Sequence, residues 1–159
     1  MKKTVSKITL AYQTDLINHK RAPYTIDGVH YMNSGELAEV LNKDRLGYEP
    51  IKDGNTKWCD GSDINELKVS CKSYRFSLTS ERLGNDYKTV KSEYFKRVHS
   101  VLWHYIIIEN DYLIVYEMNK NEFENYIDNF HIFENGIVRG VRNKKDISNM
   151  IQWFESLID

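Results

Sequence analysis

Two apolar runs separated by two polar residues constrain this chain more than any other feature: LWHYIIIE (Leu102–Glu109), then Asn110-Asp111, then YLIVYEM (Tyr112–Met118). The first run is rich in β-branched and aromatic residues, which predicts a buried strand. The Asn-Asp step allows only a tight turn, so the second run returns antiparallel beside the first. The two runs are therefore expected to form an antiparallel pair within one sheet.

Val5, Ile8, Tyr12 and Leu16 have helical spacing, which predicts a helix over 3–19, with an extended start as the alternative. Asp27-Gly28 lies between two short β-prone runs and predicts a second hairpin, because both turn positions need positive φ. Asn33 with Glu36 can form a capping box for a helix over 34–43. Residues 50–62 read as a turn-rich polar connection, and 67–79 as a central strand with Ser70, Lys72, Tyr74, Phe76 and Leu78 on one face. A helix over 86–100 is expected to bury Val90, Tyr94 and Val98. Another is marked by Phe123, Tyr126, Ile127 and Phe130, and Gly136–Val141 reads as a strand. A last helix is capped by Asn143 and carries Ile147, Met150, Ile151, Phe154, Leu157 and Ile158 at i, i+3, i+4 spacing. Alternating strands and helices of this kind predict an α/β fold, an α+β mixed sheet with packed helices, in a single domain over 1–159. Within it, 1–32 form an N-terminal helix and hairpin, 33–109 a core, and 110–159 the C-terminal strands and helices.

Charge narrows the function classes. Lys and Arg total 22 against 23 Asp and Glu, a net charge of −1. A dedicated nucleic-acid binder carries a basic field and a nucleic-acid decoy a strongly acidic one, so neither fits. No direct specific nucleic-acid binding is expected. Cys59 and Cys71 lack metal-type spacing and read as two isolated thiols of an intracellular protein. The N-terminus carries no signal-peptide pattern and no run reaches transmembrane length, so a cytoplasmic protein with no membrane contact is expected. His99 and His104 do not have ligand spacing, and His19, His30 and His131 have no accompanying ligand set. Neither a glycine-rich phosphate loop nor a G-x-S-x-G elbow occurs. Lys88, Lys91, Lys96 and Arg97 read as a solvated helix face.

One stretch carries a chemical pattern. DGSDINELKVSCKSYRFSL (Asp60–Leu78) runs from an acidic turn into a strand bearing Lys72. Metal-dependent phosphodiester cleavage needs carboxylates to hold Mg²⁺ and a lysine near the attacking water. Helix 34–43, Asp63, strand 67–79, helix 86–100 and strand 102–109 together resemble the PD-(D/E)xK nuclease superfamily. That resemblance implies Glu36 or Glu39 as the helix acid, Asp63 as the strand-end acid and Lys72 as the lysine. The second carboxylate position falls on Ser70, a poor Mg²⁺ ligand. Glu66-Leu67-Lys68 also spells E-x-K, but Asp63 and Glu66, three residues apart, face opposite sides of one strand. The site is read as a degenerate remnant of Glu36, Asp63, Ser70 and Lys72, with no metal, no cofactor and no catalysis expected. A Mg²⁺-dependent DNA nuclease is the alternative.

Across the chain, the opening MKKTVSKITLAYQ and the block WCDGSDINELKVSCKSYRFSL are similar to the small type II-A anti-CRISPR proteins of staphylococcal mobile elements. The resemblance implies a non-enzymatic inhibitor. Its partner would be the host's type II CRISPR effector nuclease with its guide RNA, engaged at the mobile HNH domain. Balanced charge suits a protein surface that pins a moving domain better than a duplex mimic. The expected contact residues around the remnant site are Lys68, Lys72, Tyr74 and Arg75.

Overall fold

The computed structural model describes residues 1–8, 14, 18, 24–31, 49–50, 61–62, 68–72 and 76–158. In chain order their strands are β1 (Lys2–Lys7), β2 (Tyr24–Ile26), β3 (Val29–Tyr31), β4 (Glu49–Pro50), β5 (Gly61–Ser62), β6 (Lys68–Lys72), β7 (Leu102–Glu109), β8 (Tyr112–Asn119), β9 (His131–Glu134) and β10 (Ile137–Gly140). The described helices are α1 (Tyr87–Arg97), α2 (Lys120–Asn129) and α3 (Lys144–Ser156). The architecture is mixed α/β, with a largely antiparallel sheet and these helices. No described helix is long and apolar enough to cross a membrane.

The hairpin predicted from Asn110-Asp111 is present. Glu109 pairs with Tyr112 and the ladder runs out to Leu102↔Asn119. Asn110 takes φ 55°, a left-handed turn conformation that asparagine tolerates. The pairing splits the hairpin into two faces. Trp103, Tyr105, Ile107, Ile114, Tyr116 and Met118 join the core that includes Phe123, Tyr126 and Phe154 from the helices. Residues alternating with them, His104, Ile106, Ile108, Leu113 and Val115, are also buried. Burial on both faces explains the near-continuous apolar runs.

Around the hairpin the sheet order is β1–β8–β7–β6–β5–β4. β6 lies parallel to the first half of β7, whereas β3 pairs antiparallel with its last three residues. A parallel pair needs a crossover, and α1 lies in the connection. Its N-cap is Asp86, whose carboxylate accepts from the Thr89 backbone N–H at 2.9 Å. Asp27-Gly28 turns β2 into β3 with φ 49° and 81°, as the two-residue turn requires.

Several expectations are corrected. Residues 2–7 are strand β1, the extended start rather than helix, paired with β8 from Lys2↔Glu117 to Lys7↔Tyr112. β8 would otherwise be an open edge, and a lysine-rich strand is a common solution at a sheet margin. Further along, Asn18 N–H donates to the Thr14 carbonyl at 3.0 Å, a helical bond. The ends of the 50–62 connection pair as β4 and β5, with Pro50 on the last strand of the described order. Of the strand expected over 67–79, Lys68–Lys72 forms β6, whereas Phe76–Leu78 lies along β10, through Leu78 N–H to Val138 O and Gly140 N–H to Phe76 O. α1 ends at Arg97, with Val98 as its C-cap. β9 went unread, although Asn135-Gly136 (φ 51° and 75°) is the turn that joins it to β10. On α3, Ile147, Met150 and Phe154 are buried but Ile151 is only half-buried, and the helix ends at Ser156, leaving Leu157 as its C-cap and Ile158 beyond it, both half-buried. The helix expected over 34–43 lies outside the described residues.

Candidate functional site

β6 is central to the nuclease-like pattern. It sits between β5 and β7, with Gly61↔Val69 and Ser62↔Lys68 on one side. On the other side the register is Val69↔Leu102, Ser70↔Trp103, Cys71↔His104 and Lys72↔Tyr105. Ser70 and Lys72 thus take the register positions of two core aromatics, and β6 brings them two residues apart on one strand. Lys68 is opposite Ser62 at the start of β6. Glu36, Glu39, Asp63, Glu66, Tyr74 and Arg75 lie outside the described residues. Among the described residues, no group of three or more His, Cys, Asp or Glu side chains could hold a metal ion.

Sequence reasoning passed over a second arrangement. His104 is buried on β7, and its Nε2 lies 2.9 Å from Oε2 of Glu117 across the β7–β8 pair. The hydrogen bond from His104 holds the Glu117 carboxyl below its usual range, with burial opposing and Lys2 contributing. Through the register, a row runs Cys71, His104, Glu117 and Lys2 across β6, β7, β8 and β1. An imidazole oriented by a carboxylate is the base half of many acyl-transfer sites, but this one is enclosed within the sheet's second buried face.

A third cluster ties α1 to α2. Tyr87 Oη donates to Asp128 at 2.5 Å, and Lys91 Nζ lies 3.0 Å from the same carboxylate and 3.3 Å from Glu124. Burial works against the Asp128 charge, yet the bonds from Tyr87 and Lys91 leave its pKa lowered. The Tyr87 ring stacks on His131 at 3.8 Å with 7° between planes. Lys91 is therefore neutralised in place rather than solvated, whereas Lys88, Lys96 and Arg97 of the same row are exposed, as expected of a solvated face. Arg97 also has acid neighbours, Glu81 at 3.6 Å and Glu93 at 3.7 Å.

A groove of about 610 Å³ separates β2–β3 from α3, floored by Ile26, Val29, Ile147 and Ile151. At its rim, Lys144 Nζ is 3.0 Å from Asp27. No family model, curated protein or solved structure matches this chain.

Proposed function

We propose that this chain is a non-enzymatic inhibitor of a type II RNA-guided DNA endonuclease, working by protein–protein contact from a PD-(D/E)xK nuclease-like scaffold. The observation that carries this reading is Ser70 on β6, two residues before Lys72. A working nuclease of that class needs a carboxylate at this position to hold Mg²⁺. Element order supports the scaffold. Asp63 follows β5 directly in sequence, β6 carries Ser70 and Lys72, and α1 crosses over to β7, which lies parallel to β6.

The partner rests on the sequence resemblance and on charge. A net charge of −1 suits contact with a protein surface of mixed sign. The proposed target is the effector's HNH domain, because cleavage requires that domain to dock after DNA is bound. Lys68, Lys72, Tyr74 and Arg75 are the proposed contacts, Tyr and Arg being common interface anchors.

Two measurements test the reading. Affinity capture of purified effector, with and without guide RNA, should retain it on this protein, and failure in both states contradicts the partner assignment. Incubation of the protein alone with DNA or RNA in Mg²⁺ or Mn²⁺ should leave the substrate intact. Cleavage abolished by Asp63→Ala and by Lys72→Ala would instead establish a nuclease.

A further inference from the structure

The exposed side of α1 and the first turn of α2 enclose a hollow of about 450 Å³. It is lined by Lys88, Lys91, Ser92, Phe95, Lys96, Lys120 and Glu124. Four lysines and one glutamate form the lining, with Asp128 and Glu93, the partners of Lys91 and Lys96, just outside it. The lysines are not equivalent. Lys91 is bound to Asp128 and Glu124. Among the described residues Lys96 pairs with Glu93 alone, at 3.3 Å, and is 69% exposed, so that pairing is weak. Lys88 and Lys120 are exposed, and among the described residues neither closes an ion pair, although the Asp86 carboxylate at the start of α1 feels the Lys88 charge. Lys120 Nζ instead sits 5.5 Å from the Phe95 ring centroid, at the wall of the hollow.

We infer that this hollow takes backbone phosphates of a single-stranded nucleic acid. The lining decides between anionic partners. Acidic protein surfaces are met best by the planar guanidinium fork of arginine, which is absent from the lining, whereas lysine binds phosphate as a point charge. The Ser92 hydroxyl adds a neutral donor. Lys88, Ser92 and Lys96 follow one another along the same side of α1 at four-residue intervals, and Lys120 closes the row from α2. Such a basic track beside a half-buried aromatic ring suits sequence-independent contact with a strand's backbone. The contact involves no base reading and differs from the specific recognition that the overall charge disfavours. It is also independent of the inhibitor reading, since it concerns the protein alone with an oligonucleotide.

The test is fluorescence anisotropy with labelled single-stranded DNA and RNA of about 12 nucleotides, a length within the usual site size. Binding should weaken between about 50 and 200 mM NaCl. A log–log slope near −2 is expected for three phosphates neutralised on a single strand. The double variant Lys88→Glu, Lys120→Glu should lose at least about tenfold in affinity, a change of about 1.4 kcal/mol. Both substitutions put an acid into the first turn of a helix, where the dipole favours it, so lost binding does not report lost folding. An unchanged melting temperature checks this. Lys144→Glu, Lys145→Glu on α3 should bind as the parent does. The inference is overturned by absence of binding at the lowest salt, by salt-independent binding, or by a double variant that binds like the parent. Preferential displacement by polyglutamate would also overturn it and assign the hollow to an acidic protein.

Discussion

The imidazole Nε2 of His104 and the carboxylate Oε2 of Glu117 meet at 2.9 Å across the central hairpin, with His104 only 2% exposed. This contact makes a specific pH prediction. The folded-state pKa of Glu117 is lowered, so its contribution is complete above the unfolded carboxylate value, about 4.3, and is lost as pH falls through the folded value. Glu117→Ala should destabilise the protein by about 1–3 kcal/mol near pH 7, because a buried donor loses its acceptor. The gap between parent and variant should close as pH drops below about 4. Urea melts at several pH values check this, and a gap that widens towards acid contradicts the assignment.

Phe154 and Ile151 separate the buried and half-buried positions of α3. Phe154 is fully buried, with its ring 4.9 Å from Tyr116, 5.1 Å from Tyr126 and 5.6 Å from Tyr105. Phe154→Ala should cost about 3–5 kcal/mol. That corresponds to a melting temperature lower by roughly 6–20 °C for a domain of this size. Ile151→Ala should cost less than half as much, since part of that side chain is already in water. Equal losses would show that the burial pattern of α3 is wrong.

Gly140 is where β10 passes under the Phe76 ring. A Cβ there would lie 2.8 Å from Phe76 Cε1 and 2.9 Å from Cδ1. Phe76 also accepts a 2.9 Å bond from the Gly140 N–H, so neither group can retreat freely. Gly140→Ala is expected to cost about 1–3 kcal/mol by overpacking. Gly28→Ala meets no atom within 4 Å and should pay only for its φ of 81°, about 1–2 kcal/mol. Thermal melts of the two variants test whether crowding or backbone angle governs each site.

Legibility in the sequence followed the range of the interactions. The β7–β8 hairpin, the Asp27-Gly28 turn and the Asn143 cap are local patterns, and each formed as its chemistry requires. At the N-terminus Val5, Ile8, Tyr12 and Leu16 fit a helical period, and what selects the extended alternative for residues 2–7 is pairing with β8, a contact more than a hundred residues away in the chain. Phe76–Leu78 lies along β10, a long-range contact that the local alternation of 67–79 does not encode. The His104–Glu117 pair, by contrast, was recoverable. A two-residue turn at Asn110-Asp111 fixes every cross-strand partner by counting outward from it. For the candidate site, the sequence supplied residue types on β6, and the described register adds their neighbours Trp103, His104 and Tyr105.

Under the proposed function, this protein would stop DNA cleavage by holding a domain of a type II effector, without chemistry of its own and without displacing DNA. The direct measurement follows target cleavage and gel-shift binding in the same reactions, using effector, guide RNA and target with increasing amounts of this protein. Cleavage should fall to background while the effector's DNA complex persists, because docking for cleavage is separable from DNA binding. Unimpaired cleavage at saturating protein, or loss of the DNA complex in step with cleavage, would contradict the account.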